Sequence, residues 1–176
     1  DTCKKPLPVD NFDMKKFSGD WFVSAYDISS ATDSKKYKGS RCAAIHFHFD
    51  NPEPQPNKWD VDLIVGNNTP VVGGSYYRED LNKGLIKLKF PARHLEYDYY
   101  ITCTDYTSYA ATYCCDQITP DIISEYVFVL VRDHKVFDKI KDSEEFRKCY
   151  NGIITKPVSE IQYIPHDNCP AHSHGN

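Results

Sequence analysis

The chain has 176 residues, of which 40% are apolar and 26% are charged, and its formal net charge at pH 7 is −4. This length predicts one domain, spanning residues 1–176, that buries a hydrophobic core. Neutralising phosphate groups requires clustered lysine and arginine, so the negative charge argues against a nucleic-acid partner. No apolar run approaches the roughly 20 residues that a membrane-spanning helix needs.

Seven cysteines are spread along the chain from Cys3 to Cys169. Disulfides persist in oxidising compartments, and the chain starts at Asp1 without a charged-then-apolar leader. We therefore expect a mature, secreted, extracellular protein. No pair has the Cys-x-x-Cys spacing of a structural zinc site. The odd count leaves at least one thiol unpaired, or bonded to a ligand or a second chain, so a homo-oligomer is one option.

Runs of alternating apolar and polar residues, separated by turn residues about every 8–12 positions, predict strands over most of the chain. In the second run, Phe47 lies on one face while His46 and His48 lie on the other. In the sixth run, Ile101 and Cys103 are predicted to share a face. The eight predicted strands are residues 21–26, 42–50, 59–65, 71–78, 85–90, 95–103, 109–115 and 126–132.

The segment after the eighth strand predicts a helix that covers an apolar wall. The eighth strand is apolar on both faces, and residues 136–149 repeat apolar side chains at helical spacing. Residues 142–145 contain a second helix-start signal, which would break the helix there, and residues 151–152 would end it. Residues 159–164 predict a short ninth strand before a polar tail. In the fourth strand, Gly73-Gly74 predicts a bulge.

These elements predict an all-β fold: an eight-stranded up-and-down antiparallel barrel, with one C-terminal α-helix packed outside and a short ninth strand. Such barrels can hold one small ligand. An immunoglobulin-like sandwich is the alternative, but it requires a Cys…Trp…Cys order that this chain lacks. The 13 tyrosines suit strands and cavity walls. The inward-facing residues that we predict to line a ligand cavity are Phe47, Trp59, Val61, Leu63, Ile86, Leu88, Phe90, Tyr97, Tyr99 and Phe128.

Three short motifs occur in register with the predicted strands. Gly19-Asp20-Trp21 begins the first strand, Thr104-Asp105-Tyr106 follows the sixth, and Arg132 ends the eighth. In this order and spacing they resemble the three signature regions of the lipocalins, over nearly the whole chain. The resemblance implies a structural role for them. Trp21 would close the barrel floor, and the Arg132 guanidinium would stack on it and bond to nearby carbonyls.

Among lipocalins, the chain is most similar to the arthropod bilin-binding proteins and insecticyanins and to the crustacyanin subunits. The similarity lies in the lead-in at residues 3–13 and in residues 104–110. It implies a secreted protein that carries one small hydrophobic ligand in the barrel, most simply a pigment such as biliverdin or a carotenoid as a bound chromophore.

The same likeness implies a set of disulfides. They are Cys42–Cys169, then Cys3 with Cys114 or Cys115, of which we favour Cys115, and a third bridge from Cys149 to Cys103 or Cys114. The third bridge differs from the crustacyanin pattern, because Ala111 stands where the strand cysteine is expected. Adjacent strand residues face opposite sides, so Cys114 and Cys115 cannot both face outward without a bulge. An inward, unpaired Cys114 would be a covalent anchor for a bilin or, as we favour, a buried inert thiol.

Other functions remain as alternatives. A scavenger of biogenic amines or lipid mediators would need acidic side chains inside the cavity, with Asp98 and Glu96 as candidates. His46 and His48 stand two apart on one face, a spacing that permits joint metal or haem contact and so makes a haem carrier an alternative, although histidines facing solvent are common on strands. A structural or interaction protein without a ligand is the third alternative.

Motifs for catalysis are missing from the sequence. It has no Gly-x-Ser-x-Gly, no His-Glu-x-x-His and no phosphate-binding glycine loop, so we expect neither enzyme activity nor a catalytic cofactor. The tail histidines His166, His172 and His174 would chelate a metal only weakly, so we predict no metal site. The sequon Asn67-Asn68-Thr69 lies in a predicted surface turn and makes Asn67 a candidate for glycosylation.

Overall fold

The computed structural model of the chain describes residues 2–29, 35, 37–91, 95–150, 153 and 161–170. These residues form strands for most of their length, together with short helices. Numbered in chain order, the strands are β1 (Gly19–Ile28), β2 (Ser40–Phe47), β3 (Asn57–Val65), β4 (Val71–Tyr77), β5 (Leu85–Phe90), β6 (Leu95–Thr104), β7 (Tyr109–Thr119), β8 (Ile122–Val131) and β9 (Gln162–Tyr163).

The first eight strands close into an up-and-down antiparallel barrel. Each strand pairs with its sequence neighbour, and β1 pairs with both β2 and β8, which closes the ring. The short β9 pairs with β1 at Ala25 and Tyr26, beyond the residues of β1 that pair with β2. The predicted fold class, including the ninth strand, is confirmed. The predicted start of that strand, residues 159–160, lies outside the described residues.

One end of the barrel is closed by aromatic side chains. The helix α1 (Met14–Phe17) is capped by Asp13, whose carboxylate accepts a hydrogen bond from the Lys16 backbone N–H at 3.1 Å. It places the buried Phe17 ring 5.0 Å from the Trp21 ring and 5.5 Å from the Phe47 ring, measured between centroids. This layer fills the floor and leaves the opposite end of the barrel available for a cavity.

Two short helices, and not one continuous helix, cover the outer faces of β7 and β8. They are α2 (Val136–Ile140) and α3 (Glu144–Lys148). The break lies at the second helix-start signal, where the Ser143 hydroxyl accepts a hydrogen bond from the Phe146 backbone N–H at 3.1 Å. Phe137 and Phe146 pack with Val129 on the outside of the barrel, so the apolar outer face of β8 is buried as predicted. Residues 151–152, the predicted end of the helix, are not among the described residues.

Two local predictions about strands are wrong. The pairing of β3 with β4 runs through Gly73 and Gly74 without a shift in register, so no bulge occurs there. The glycines are needed for space, since a Cβ on Gly74 would lie 1.9 Å from the Lys89 carbonyl oxygen. A register shift does occur between Ile101 and Cys103, and it turns Cys103 outward while Ile101 stays in the barrel core.

Within the described part of the chain, no helix is long and apolar enough to span a bilayer.

Candidate ligand-binding cavity

A cavity of about 220 Å³ occupies the open half of the barrel. Val72 lines it and is 47% exposed, so the cavity reaches solvent at the end opposite the Trp21 floor. Its wall is mostly aliphatic and aromatic, which is typical of a site for a small hydrophobic molecule. The lining residues are Val23, Tyr37, Ala43, Ile45, Trp59, Val61, Leu63, Val72, Leu88, Phe90, Tyr97, Tyr99, Cys114, Tyr126, Phe128, Leu130 and Ile164.

Eight of the ten residues predicted to line a cavity contribute to this wall. They are Trp59, Val61, Leu63, Leu88, Phe90, Tyr97, Tyr99 and Phe128. The other two, Phe47 and Ile86, are fully buried in the core cluster that contains Trp21 and Phe17, and they do not line the cavity. Alternation along a strand identifies the inward face but not the depth at which packing ends and the cavity begins.

Several lining residues were missed, for different reasons. Tyr126 lies two residues before Phe128, and Ile45 two before Phe47, so strict alternation would have included both. Tyr37 lies before β2, where no periodic signal exists, yet its ring lies 5.6 Å from that of Tyr26. Its position depends on the tertiary fold.

The cavity wall carries a few polar groups. The Tyr97 hydroxyl donates a hydrogen bond to the Asp116 carboxylate, with 3.4 Å between the oxygens. Asp116 follows Cys114 by two residues in β7 and shares its inward face. Burial raises the pKa of Tyr99 and outweighs the lowering effect of Thr112, so the Tyr99 hydroxyl stays neutral. These groups could orient a ligand that is otherwise held by apolar contacts.

Among the described residues, Cys114 is the one cysteine with a free thiol, and it lines the cavity. Burial raises the pKa of Cys114 to about 12, with smaller contributions from the carboxylates of Asp116 and Asp98. Its neighbour Cys115 faces outward, in keeping with strand alternation. The disulfides are Cys3–Cys115, Cys42–Cys169 and Cys103–Cys149.

The signature residues hold the closed end together. The Arg132 guanidinium lies 3.7 Å from the centre of the Trp21 ring and donates hydrogen bonds to five backbone carbonyls. Burial lowers the pKa of Arg132 to about 10, against the opposing effect of Asp20 and Asp105. The Thr104 and Asp105 side chains both bond to the backbone of the turn that follows β6. Gly19 adopts a positive φ of 101° beside Arg132.

The acidic residues proposed for an amine site lie on the outer wall. Asp98 pairs with Lys87, with 2.5 Å between carboxylate and ammonium, and the Glu96 carboxylate accepts a hydrogen bond from the Tyr77 hydroxyl at 2.7 Å. Lys87 alternates with Ile86 and Leu88, which face inward, so both carboxylates face away from the cavity. The prediction that Asp98 or Glu96 meets an ammonium group inside the cavity is therefore wrong.

The paired histidines also lie on the outer wall. His46 is 1% exposed and bonds to the carboxylates of Asp20 and Asp62, so the expectation that it faces solvent is wrong. Neither His46 nor His48 lines the cavity, which removes the basis for a haem carrier. In the tail, His166 packs on Phe22, whereas His172 and His174 lie outside the described residues.

Asn67 is exposed in the turn between β3 and β4.

No protein-family model matches the sequence. Solved structures, however, share the fold at low sequence identity. Insecticyanin from the tobacco hornworm Manduca sexta superposes with a TM-score of 0.71 at 19% identity, over 96% of this chain and 87% of that one. The cockroach allergen Per a 4 gives 0.65 at 14% identity, over 96% and 98% of the two chains. Lobster apocrustacyanin A1 gives 0.61 at 14% identity, over 91% and 90%.

The barrel, its closed floor and these structural matches define the class: the chain has the lipocalin fold. The predicted likeness to insecticyanin and crustacyanin is confirmed at the level of the fold.

Proposed function

We propose that this protein is a secreted member of the lipocalin family that binds one small hydrophobic ligand in the barrel cavity. The observation that carries the proposal is the apolar, aromatic-lined cavity, closed below by the Trp21 floor and open above. Burial of apolar ligand surface supplies affinity at roughly 25 cal/mol per Å². The role is sequestration or transport, without a chemical step.

The ligand that we propose is a pigment, with a linear tetrapyrrole first and a carotenoid second. The sequence resemblance and the structural match to insecticyanin and apocrustacyanin support a pigment. The Asp116 carboxylate, held by the Tyr97 hydroxyl, could accept hydrogen bonds from pyrrole N–H groups. A carotenoid has no N–H groups and carries hydroxyl donors at most on its end rings, which is why the tetrapyrrole comes first.

The size of the cavity indicates how such a ligand would bind. Sites for drug-sized molecules usually enclose about 300–1,000 Å³, and this cavity encloses about 220 Å³. An elongated molecule would therefore extend beyond the cavity towards the mouth. The strand ends there carry exposed apolar side chains that could cover it, namely Val71, Val72, Leu95, Ile118 and Ile122.

The test is an absorption spectrum of the native protein, followed by titration of the ligand-free protein with biliverdin and with a carotenoid. We expect one equivalent of biliverdin to bind with a shifted absorption band. Leu63→Trp narrows the cavity and should weaken binding at least about tenfold, whereas Ile64→Trp, one residue further along β3 on the outer face, should not. A colourless protein that binds neither pigment would overturn the pigment proposal. If the pigment binds equally well to both variants, its binding site is not the cavity.

Secretion and glycosylation belong to the same proposal. Three disulfides are typical of proteins that fold in an oxidising compartment, and Asn67 is an exposed acceptor in a turn. Protein purified from its natural source should lose mass on treatment with a peptide N-glycosidase. An Asn67→Gln protein made in secretory cells should show no such loss.

A further inference from the structure

A cluster of imidazole and carboxylate groups lies on the outer wall of the barrel, beside its closed end. It combines a His-x-His pair, with His46 in β2 and His48 one residue past its end, with an Asp-x-Asp pair on β3, Asp60 and Asp62. The strand register places His46 directly opposite Asp60. All four residues project from the face opposite the cavity, so the cluster is separate from the ligand site.

The donor atoms of His46, Asp60 and Asp62 lie close together, and His48 holds the second oxygen of Asp60. His46 Nε2 lies 2.7 Å from an Asp62 oxygen and 3.9 Å from an Asp60 oxygen, and His48 Nε2 lies 2.8 Å from the other Asp60 oxygen. Zinc binds nitrogen and oxygen ligands at about 2.0–2.1 Å, so the edges of its ligand tetrahedron are about 3.3 Å. The distances from His46 Nε2 bracket that value. One ligand atom from each of His46, Asp60 and Asp62 lies within 4.8 Å of the other two.

The second nitrogen of His46 is held as in many metal sites. His46 Nδ1 lies 2.5 Å from the carboxylate of Asp20, which faces it across the β1–β2 pairing. A metal-binding histidine commonly has its other ring nitrogen on a carboxylate, which fixes the tautomer and the orientation of the ring. Because His46 is buried between two strands, its ring is fixed before any ion arrives.

Charge and access also suit a cation. The three carboxylates of Asp20, Asp60 and Asp62 face two imidazoles, which carry at most two positive charges. His48 and Asp62 have 30% and 21% of their side-chain surface exposed, so an ion can reach the cluster from solvent. Calcium prefers six to eight oxygen ligands, whereas a mixed nitrogen and oxygen set selects zinc and neighbouring transition metals.

We propose that His46, Asp60 and Asp62 bind one divalent cation of the zinc class, with Asp20 as a positioning residue behind His46 and His48 as a positioning residue behind Asp60. The ion would link β2 to β3 on the outer wall. This site replaces the sequence-based prediction of no metal. A purely structural cluster of imidazolium–carboxylate pairs is the competing interpretation, and it requires no ion.

The experiment measures Zn²⁺ binding by titration calorimetry and Co²⁺ binding by visible absorption, on the full-length, chelator-stripped protein. All variants carry His172→Gln and His174→Gln, which removes the tail histidines as ligands. We expect one equivalent of Zn²⁺ to bind, and Co²⁺ to give the intense visible bands of a four-coordinate site. Asp62→Asn removes a ligand and should weaken Zn²⁺ binding at least tenfold, and the positioning variants His48→Gln and Asp20→Asn should each weaken it about 10- to 100-fold.

Matched controls come from the same outer surface. His134→Gln and Asp98→Asn remove one imidazole and one carboxylate elsewhere and should leave Zn²⁺ affinity unchanged. Circular dichroism checks that each variant is folded, and Zn²⁺ should raise the melting temperature of the parent more than that of Asp62→Asn. The absence of binding at millimolar metal, or binding that the His48 and Asp62 variants leave intact, would overturn the proposal. The substituted residues lie outside the cavity, so pigment binding is measured in a separate experiment. The metal site can then be disproved while pigment binding holds, and the reverse is also possible.

Discussion

At the scale of single residues, the neighbours Cys114 and Cys115 show how strand alternation assigns different roles to identical side chains. Cys115 faces outward and holds the N-terminal segment through Cys3, while Cys114 faces the cavity with a free thiol. Only a thiolate is an effective nucleophile, and burial raises the pKa of Cys114 to about 12. At pH 8, a thiol with that pKa is ionised in only about one molecule in ten thousand.

We therefore predict that the native protein reacts with a thiol reagent at pH 8 far more slowly than the unfolded protein does. In denaturant without reductant, one thiol per chain should react, because the other cysteines are bridged. The rate in the native state should rise about tenfold with each pH unit above pH 8 and level off only as the pH approaches 12. Rapid labelling of the native protein near pH 8 would contradict this account. A holoprotein that shows no thiol even when unfolded would indicate a covalent bond from Cys114 to the ligand.

Arg132 is the residue on which the closed end depends most. Its planar guanidinium stacks on Trp21 and reaches carbonyls of the segment that enters β1, which a lysine ammonium cannot do at the same time. Arg132→Lys should lower the free energy of unfolding by about 3 kcal/mol, since several charge-assisted hydrogen bonds are lost. Arg147→Lys, on the exposed face of α3, should change it by less than about 0.5 kcal/mol. Denaturant titration of both variants measures the two free energies of unfolding. If the two variants lose equal stability, the planar guanidinium of Arg132 has no special role at the closed end.

At the scale of elements, alternation predicted the strands well, but it did not predict where the backbone departs from regular pairing. The Gly73-Gly74 pair was interpreted as a bulge, yet β3 and β4 pair through it without interruption. The register shift lies in β6, between Ile101 and Cys103, where the sequence has no glycine. Bulges depend on how a strand fits both of its neighbours, and a single strand's sequence does not contain that information.

The same limit applies to the candidate site. Period-two alternation found most of the cavity wall because a half-buried strand shows its inward face in its sequence. It did not distinguish Phe47, which packs on the floor, from Trp59, which lines the cavity. Nor did it reveal that His46 would be buried between Asp20 and Asp62, because that contact joins three strands.

The close approach at Gly74 leads to a prediction for β4. A methyl group there would meet the Lys89 carbonyl oxygen of β5, and backbone cannot move aside as a flexible side chain can. Gly74→Ala should therefore lower the free energy of unfolding by at least about 2 kcal/mol, although alanine is normally tolerated better than glycine in a strand. Ser75→Ala, the next residue, is the matched control and should cost less than about 1 kcal/mol. Thermal unfolding compares the two, and a neutral Gly74→Ala would mean that the strands are further apart than the structure shows.

At the scale of the whole molecule, the disulfides connect the ends of the chain to the barrel. Cys3–Cys115 ties the N-terminal segment to β7, and Cys42–Cys169 ties the C-terminal segment to β2. Cys103–Cys149 joins β6 to the end of α3 and so holds the helices against the outer wall. Each bridge therefore fastens a segment that the barrel's own strand pairing does not hold.

The lengths of the closed loops predict an order of stabilisation. Cys42–Cys169 spans 127 positions and Cys103–Cys149 spans 46, so the longer loop restricts the unfolded chain more. In the chain-entropy model these loops correspond to about 5 and about 4 kcal/mol. Replacing Cys42 and Cys169 together by alanine should thus lower the free energy of unfolding by about 1 kcal/mol more than replacing Cys103 and Cys149. Denaturant unfolding of the two double variants, at equal pH and without reductant, measures this difference. The reverse order would show that packing of the helices on the barrel, and not loop entropy, determines what the bridges contribute.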